Sequence, residues 1–333
     1  MSINYIFPLV SVIVLFLAAY VGVSAAGLEI FFGVIFPYLA VIIFLAGVIL
    51  RVLDWSRSPV PFRIPTTAGQ EKSLPWIKQS KFDNPSSTFG VVIRMALEIL
   101  FFRSLFRNTK LVSKEDGKVF FYGMELWLWI AALAFHYSFL VVIIRHFRFF
   151  LEPVPVCIHL LEKVDGFLQV GVPGVMVSGI VLLVAITYLF FRRIYIPQVR
   201  YVSLAADYFP LFLIMGIAIS GILMRYFFKA NVVGAKELAM GIVTLHPTIP
   251  KGIGSIFYIH LFFVSVLIAY FPFSKLMHLG GIFLSPTRNL ANNNRMKRHI
   301  NPWNHPVKVH TYDEYEEEFR EKMIEAGLPV EKE

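Results

Sequence analysis

Residues 256–278 read IFYIHLFFVSVLIAYFPFSKLMH, an apolar run that carries His260 near its start and closes on His278. A hydrocarbon core about 30 Å thick takes roughly 20 residues of helix, so the run is long enough to cross it. From one histidine to the other is a step of eighteen positions. At about 100° per residue that is five whole turns, and in a straight helix both imidazoles leave the same face. A second apolar run carries His136 and His146, ten positions apart. Two helices with two histidines each can hold two bis-imidazole haems inside a membrane, and the rest of the chain is read around that possibility.

Composition supports the setting. The 333 residues are 57% hydrophobic and 16% charged, with mean hydropathy +0.66. Continuous apolar runs exclude the alternating pattern of a barrel, and only helices or closed barrels satisfy the backbone in lipid. The expected fold is all-α, a polytopic bundle of six transmembrane helices. The single cysteine, Cys157, excludes an iron–sulfur cluster, a covalently attached c-type haem and an internal disulfide within the chain. Any redox group must be held by histidine or by no covalent bond. The net charge of +9 reads as membrane orientation, and nucleic acid is not an expected partner.

In order, the spans are expected at about Tyr5–Ala26, Glu29–Leu53, Phe120–Phe147, Phe167–Phe191, Ala206–Phe228 and Gly254–His278. The first lacks a basic n-region and is followed at once by the second, which favours a retained helix over a cleaved signal. Residues 1–28 then form an extra N-terminal helix, 29–284 the main membrane domain and 285–333 a polar tail. Between the second and third spans lies a loop, about 54–118, rich in proline (Pro59, Pro61, Pro65, Pro75, Pro85). It contains a moderately apolar stretch, Ser87–Arg107, with Arg94, Glu98, Arg103 and Arg107. Four charges make spanning costly, so an interfacial helix is expected, with Arg94 and Glu98 paired at i, i+4. Lys110–Lys118 reads as a polar connector. The tail holds a basic cluster, Arg295–Arg298, and an acidic helix, Asp313–Glu325.

Six spans put 24 Lys and Arg on the starting side and 7 on the other. The positive-inside rule then places both termini in the cytoplasm of a multi-pass cell-membrane protein. His136 and His278 fall towards the cytoplasm, and His146 and His260 towards the outside. Each level thus has one histidine from each helix. The ladders are unequal, however: at 1.5 Å per residue, ten residues rise about 15 Å and eighteen about 27 Å. A lone histidine at a membrane end can also cap, snorkel or bond a carbonyl. Four of them paired by level favour ligation.

Further motifs carry a family likeness over about Phe31–Asn289. They are Phe36-Pro37-Tyr38, Leu50-Arg51, the His136/His146 spacing, Arg192-Arg193-Ile194-Tyr195-Ile196-Pro197-Gln198-Val199-Arg200, Ile259-His260-Leu261 and Phe271-Pro272-Phe273-Ser274-Lys275-Leu276-Met277-His278. In these the chain resembles the cytochrome b (gamma) subunit of respiratory nitrate reductases. The extra first helix, the insertion at about 60–115, the longer tail and the stretch Leu100–Thr109 are more similar to a sister group. That group comprises the cytochrome b subunits of Dsr/Hme-type menaquinol-oxidising complexes of sulfate reducers and of membrane-bound heterodisulfide reductases.

The resemblance implies two b haems, His136 with His278 on the inner iron and His146 with His260 on the outer. It implies menaquinol oxidation beside the outer haem, electron delivery to a cytoplasmic iron–sulfur subunit like heterodisulfide reductase, further subunits, and a link to sulfate or sulfite reduction. Lys163 and Asp165 are near where the family places a basic quinol-site residue; as loop charges they could equally be solvated. Arg145 and Arg225 are candidates for haem propionates or for anchoring helix ends. The loop, with Arg103 and Arg107, is the expected docking surface for the soluble partner. A cytochrome b subunit of a heterodisulfide or nitrate reductase is the alternative reading, and a haem-free anchor or transporter is the remote one.

Overall fold

A computed structural model describes residues 4–58, 69–113, 120–168, 173–293, 295 and 308–331. Pro59, Pro61 and Pro65, and most of the basic cluster at 295–298, lie outside that set. The helices are α1 (Ile6–Ser24), α2 (Phe36–Ser56, entered through a π turn at Phe31–Ile35), α3 (Thr88–Phe101) and α4 (Arg103–Phe106), followed by a hairpin of β1 (Thr109–Ser113) and β2 (Phe120–Met124). Next come α5 (Leu126–His146), α6 (Val156–Asp165), α7 (Val177–Tyr195), α8 (Pro197–Val202), α9 (Ala205–Ile222), α10 (Val232–Val243) and α11 (Ser255–Tyr270). The chain closes with α12 (His278–Leu284), α13 (Pro286–Asn289) and α14 (Tyr312–Glu325).

Six helices among the described residues, α1, α2, α5, α7, α9 and α11, are long and apolar enough to cross a membrane. The protein is a multi-pass membrane protein. Lipid tails are as apolar as these side chains, so the bundle is held by close packing and not by exclusion from water. In that packing α5 lies along α7, α7 along α9, and α9 along α11, which also packs on α2. The first helix is part of the bundle, lying against both α9 and α11. Its Val12, Ala19 and Val23 enter the core beside Tyr208, Leu213, Ile259 and Phe263, and Asn4 donates to the Ser203 carbonyl at 3.0 Å. The turn into α2 needs Gly22, because a Cβ there would sit 2.4 Å from Cε2 of Phe32.

Three segment ends differ from expectation. Residues 120–124 pair with 109–113 as an antiparallel hairpin, Thr109 opposite Met124 and Ser113 opposite Phe120. The hairpin takes in the start of the expected connector, and the third span begins only at Leu126. Pro173-Gly174 delays the fourth span to Val177. The last span stops at Phe273. Pro272 sits there in a 3-10 turn, and Ser274 turns extended (φ −117°, ψ 175°) before a second 3-10 turn leads to His278.

The expected interfacial helix is turned about its axis in an informative way. On α3, Val91, Arg94 and Glu98 are buried, while Phe89, Val92, Ala96 and Leu100 form an exposed stripe. The two charges do not simply pair with each other. Arg94 donates to the Thr287 carbonyl at 3.1 Å. Glu98 accepts from the Ser104 backbone at 3.1 Å and meets Arg288 at 3.4 Å. The tail is fastened further along, where Asn292 donates through its backbone to the Pro85 carbonyl (2.7 Å) and through its side chain to Asn84 (2.8 Å). The end of α3 rests on a membrane span: Tyr137 donates to the Leu100 carbonyl at 2.7 Å and Trp129 to that of Phe101 at 2.8 Å. These side chains satisfy carbonyls that a helix end leaves open.

Arg103 and Arg107, expected at the docking surface, have a partner within the chain. Both pair with Asp83, Arg103 at 3.1 Å, while the Arg107 side chain stays half exposed. Burial pushes the Asp83 carboxyl up, but hydrogen bonds from Arg107, Arg103 and Ser80 outweigh it and hold it below its ordinary value. This fastening therefore contributes above the usual carboxylate range and is lost as pH falls through the lowered value.

Candidate functional site: two facing histidine pairs

The backbones of α5 and α11 do not run in close contact; α5 packs on α7, and α11 on α9, α2 and α1. The histidines bridge the interval. His136 faces His278 with ring centres 6.0 Å apart, and His146 faces His260 at 6.3 Å. The His136 and His278 rings are crossed at 83°, and the His146 and His260 rings lie within 14° of parallel. The pairing expected from topology is therefore present, one histidine from each side at each level.

The two ladders match after all, because the last span is not one straight helix. His278 is carried on the first residue of α12, beyond the break at Ser274. The same-face argument for His260 and His278 does not apply to this geometry. Packing fixes the break instead: a Cβ on Gly47 of α2 would lie 2.7 Å from Cβ of Pro272. Lys275 in the second 3-10 turn pairs with Asp207 of α9 at 2.6 Å.

Each ring has one nitrogen already committed. Nδ1 of His136 bonds the Ala132 carbonyl at 2.8 Å, that of His146 the Val142 carbonyl at 2.7 Å, and that of His278 the Lys275 carbonyl at 2.8 Å. A carbonyl only accepts, so these Nδ1 atoms are protonated and Nε2 keeps its lone pair. Nδ1 of His260 meets Ser220 Oγ at 2.9 Å. Phe102 holds a left-handed turn (φ 49°) and lays its ring edge-on to His136 at 4.9 Å. A bulky residue with positive φ is a backbone outlier, and here it walls the inner pair.

These features fit a bis-imidazole group. A metal-bound imidazole nitrogen lies about 2 Å from its ion, with the ring centre about 1 Å further back. Two imidazoles trans on one ion then have centres about 6 Å apart, as both pairs do. Ligating histidines characteristically donate their other N–H to a fixed acceptor. Two guanidinium groups lie near His146, Arg145 facing Asp165 at 3.0 Å and Arg225 donating to the Gly174 carbonyl at 3.3 Å. Arg145 and Arg225 are near enough to repel each other, and Nε of each is buried without a hydrogen-bond acceptor.

Of the remaining expected residues, Asp165 is buried at the end of α6. Its Oδ1 accepts from the Ser178 backbone and its Oδ2 from the Ser178 hydroxyl, both at 2.7 Å. Arg145 Nε stands 3.0 Å from Oδ2 without hydrogen-bond alignment, so that contact is one of charge. Lys163 lies on the exposed side of α6. The structure therefore separates these two residues.

Sequence reasoning misses Ser220 as the partner of His260, and Asp207 with Lys275 as the pair behind His278. A Ser-Gly step inside an apolar span is the available signal for Ser220.

The match to a family model covers residues 88–299 and has the description nitrate reductase gamma subunit. The chain belongs to that family. The match spans α3 to the tail, including all four histidines. Among relatives, the chain is 47% identical over 283 residues to an Archaeoglobus fulgidus protein named Hdr-like menaquinol oxidoreductase cytochrome b-like subunit, covering 82% of this chain and 83% of that one. It is 44% identical over 275 residues to the protein of the same name from Archaeoglobus profundus, covering 80% and 81%. Within the nitrate reductase gamma family, this chain is thus similar to proteins named as subunits of a menaquinol oxidoreductase.

Proposed function

We propose that this chain is the membrane cytochrome b subunit of a menaquinol oxidoreductase. It holds two b haems, His136 with His278 at the inner level and His146 with His260 at the outer. The observation that carries the reading is the pair of facing imidazole sites, each with its Nδ1 committed and Nε2 left to bind. When bound, the haems supply one-electron transfer across the bilayer, and bis-histidine ligation leaves no open iron position for oxygen chemistry. The chain's own residues do the rest. The Ala132, Val142 and Lys275 carbonyls and the Ser220 hydroxyl orient the rings. Arg145 and Arg225 offer buried guanidinium edges to propionates. Phe102 packs edge-on against His136 and limits the room for that ring.

Menaquinol is the proposed donor at the outer level, with Lys163 as the quinol candidate on the exposed face of α6. Asp165, with both oxygens engaged, is assigned to holding Arg145. The proposed acceptor is a cytoplasmic iron–sulfur subunit resembling heterodisulfide reductase, in a complex serving sulfate or sulfite reduction. The words Hdr-like menaquinol oxidoreductase in the name of the two Archaeoglobus relatives support the donor and the likeness to heterodisulfide reductase. The excess of Lys and Arg on the starting side supports cytoplasmic termini. The test is a reduced-minus-oxidised spectrum of the purified protein, with haem assayed per polypeptide. A b-type band reducible by menaquinol analogues is expected. Absence of the band would sink the haem assignment, and reduction by a phenazine alone would move the donor to that class.

The exposed stripe of α3 is proposed to face lipid, because its end is bonded to Trp129 and Tyr137 of a span while its charges turn inward. The helix is only 14 residues long, about 21 Å at 1.5 Å each, too short to cross. In a Cys157→Ser background, Phe89→Cys in vesicles is expected to react slowly with a water-soluble maleimide and readily with a lipid-soluble one. Lys81→Cys should react readily with both. Fast aqueous labelling at both positions would show that the stripe is solvated.

A further inference from the structure

We infer that Ser220 is the positioning residue for His260, fixing its tautomer and setting the redox potential at the outer site. The inference rests on the dihaem reading and goes beyond it. Three of the histidines bond carbonyls within four residues of themselves, Ala132, Val142 and Lys275. Such acceptors belong to the local backbone and survive any side-chain change. His260 differs. It sits on α11, and its Nδ1 meets a side chain on α9, the Ser220 hydroxyl at 2.9 Å, with the Ile217 carbonyl of the same helix also beside the ring.

The direction of that bond follows from its neighbour. Ser220 Oγ lies 3.0 Å from the Ile217 carbonyl, which can only accept. A hydroxyl has one proton, and Ile217 takes it. The oxygen lone pair then faces His260, so Nδ1 is the protonated nitrogen and Nε2 carries the lone pair towards His146. Ser220 is 4% exposed, which keeps bulk solvent from the contact. The next residue completes the seat: a Cβ on Gly221 would lie 3.3 Å from Cε1 of His260. The Ser220-Gly221 step therefore gives the ring an acceptor on one atom and room on another.

Donation from Nδ1–H makes an imidazole a more basic ligand, which favours ferric over ferrous iron and lowers the potential. Removing the hydroxyl leaves the Ile217 carbonyl as the remaining acceptor and weakens this effect at the outer site alone. The experiment is a spectroscopic redox titration of the purified holoprotein and of Ser220→Ala and Ser220→Thr, with His146→Ala identifying the outer component. Ser220→Ala is expected to change the ferric-to-ferrous affinity ratio about tenfold, raising the outer midpoint by about 59 mV for one electron. The inner midpoint should not move, and Ser220→Thr, which keeps the hydroxyl, should stay near wild type.

An unmoved outer midpoint in Ser220→Ala, or equal shifts at both sites, overturns the inference. If Ser220→Ala loses the outer haem outright, retention by Ser220→Thr at the wild-type midpoint still supports it, and loss by both variants overturns it. A wild-type protein without haem removable by His146→Ala overturns the dihaem reading itself, and this inference with it.

Discussion

Exchanging His278 for alanine is expected to halve the haem content of the purified protein and leave the outer site spectrally intact. The effect should be all or none, because a bis-histidine site that loses one ligand loses a coordinate bond and the ring that walls one side of the group. No second histidine among the described residues stands at the inner level to replace it. His136 faces His278 alone at 6.0 Å. The fold should tolerate the change, since His278 is exposed at the start of α12 and the break that delivers it is fixed by Gly47 against Pro272 and by Lys275 with Asp207. His260→Ala should give the complementary loss. If haem per polypeptide is unchanged in His278→Ala, the inner assignment is wrong.

The second large effect concerns the outer end of the bundle. Asp165→Asn keeps an oxygen for Ser178 but removes the negative charge beside Arg145, whose side chain is 13% exposed and that of Asp165 6%. Breaking one partner of a buried ion pair leaves an uncompensated charge and costs about 3–5 kcal/mol. Thermal unfolding of the detergent-solubilised protein should show a clear fall in Tm for this variant. The double exchange Asp165→Asn with Arg145→Met should recover much of it, because it removes both charges together and keeps an oxygen for Ser178. A single variant that melts with the wild type would show that Arg145 is stabilised by other groups.

Much of this architecture is legible in the sequence, and the failures have physical causes. Hydropathy finds the six spans because crossing a bilayer demands length and apolarity of each segment separately. Alternation of direction then puts His136 with His278 and His146 with His260, which needs only topology. The end of the last span is not legible. Pro272 announces a disturbance, but whether the chain bends or restarts depends on Gly47, far away in sequence. The hairpin at 109–124 is hidden because Phe120–Met124 is apolar enough to extend the span that follows. Arg94 and Glu98 satisfy a local pairing rule, yet their partners Thr287 and Arg288 belong to the tail, on the other side of four spans. The pairing of Arg103 and Arg107 with Asp83 is not legible either, because nothing in the sequence marks Asp83 as their neighbour. Local patterns give segments; the partners of a buried charge are set by tertiary packing.

The two histidine pairs are chemically alike and yet differ in symmetry. Were an iron held between crossed imidazoles, as in the His136/His278 pair at 83°, it would receive equal π donation along two perpendicular directions, and its two d orbitals of π symmetry would stay nearly degenerate. Between rings only 14° from parallel, donation would run along one direction and split that pair. The inner centre would thus be magnetically axial and the outer one rhombic. A relay of two chemically identical stations would then carry a separate magnetic label on each, and electron paramagnetic resonance could follow their reduction one at a time.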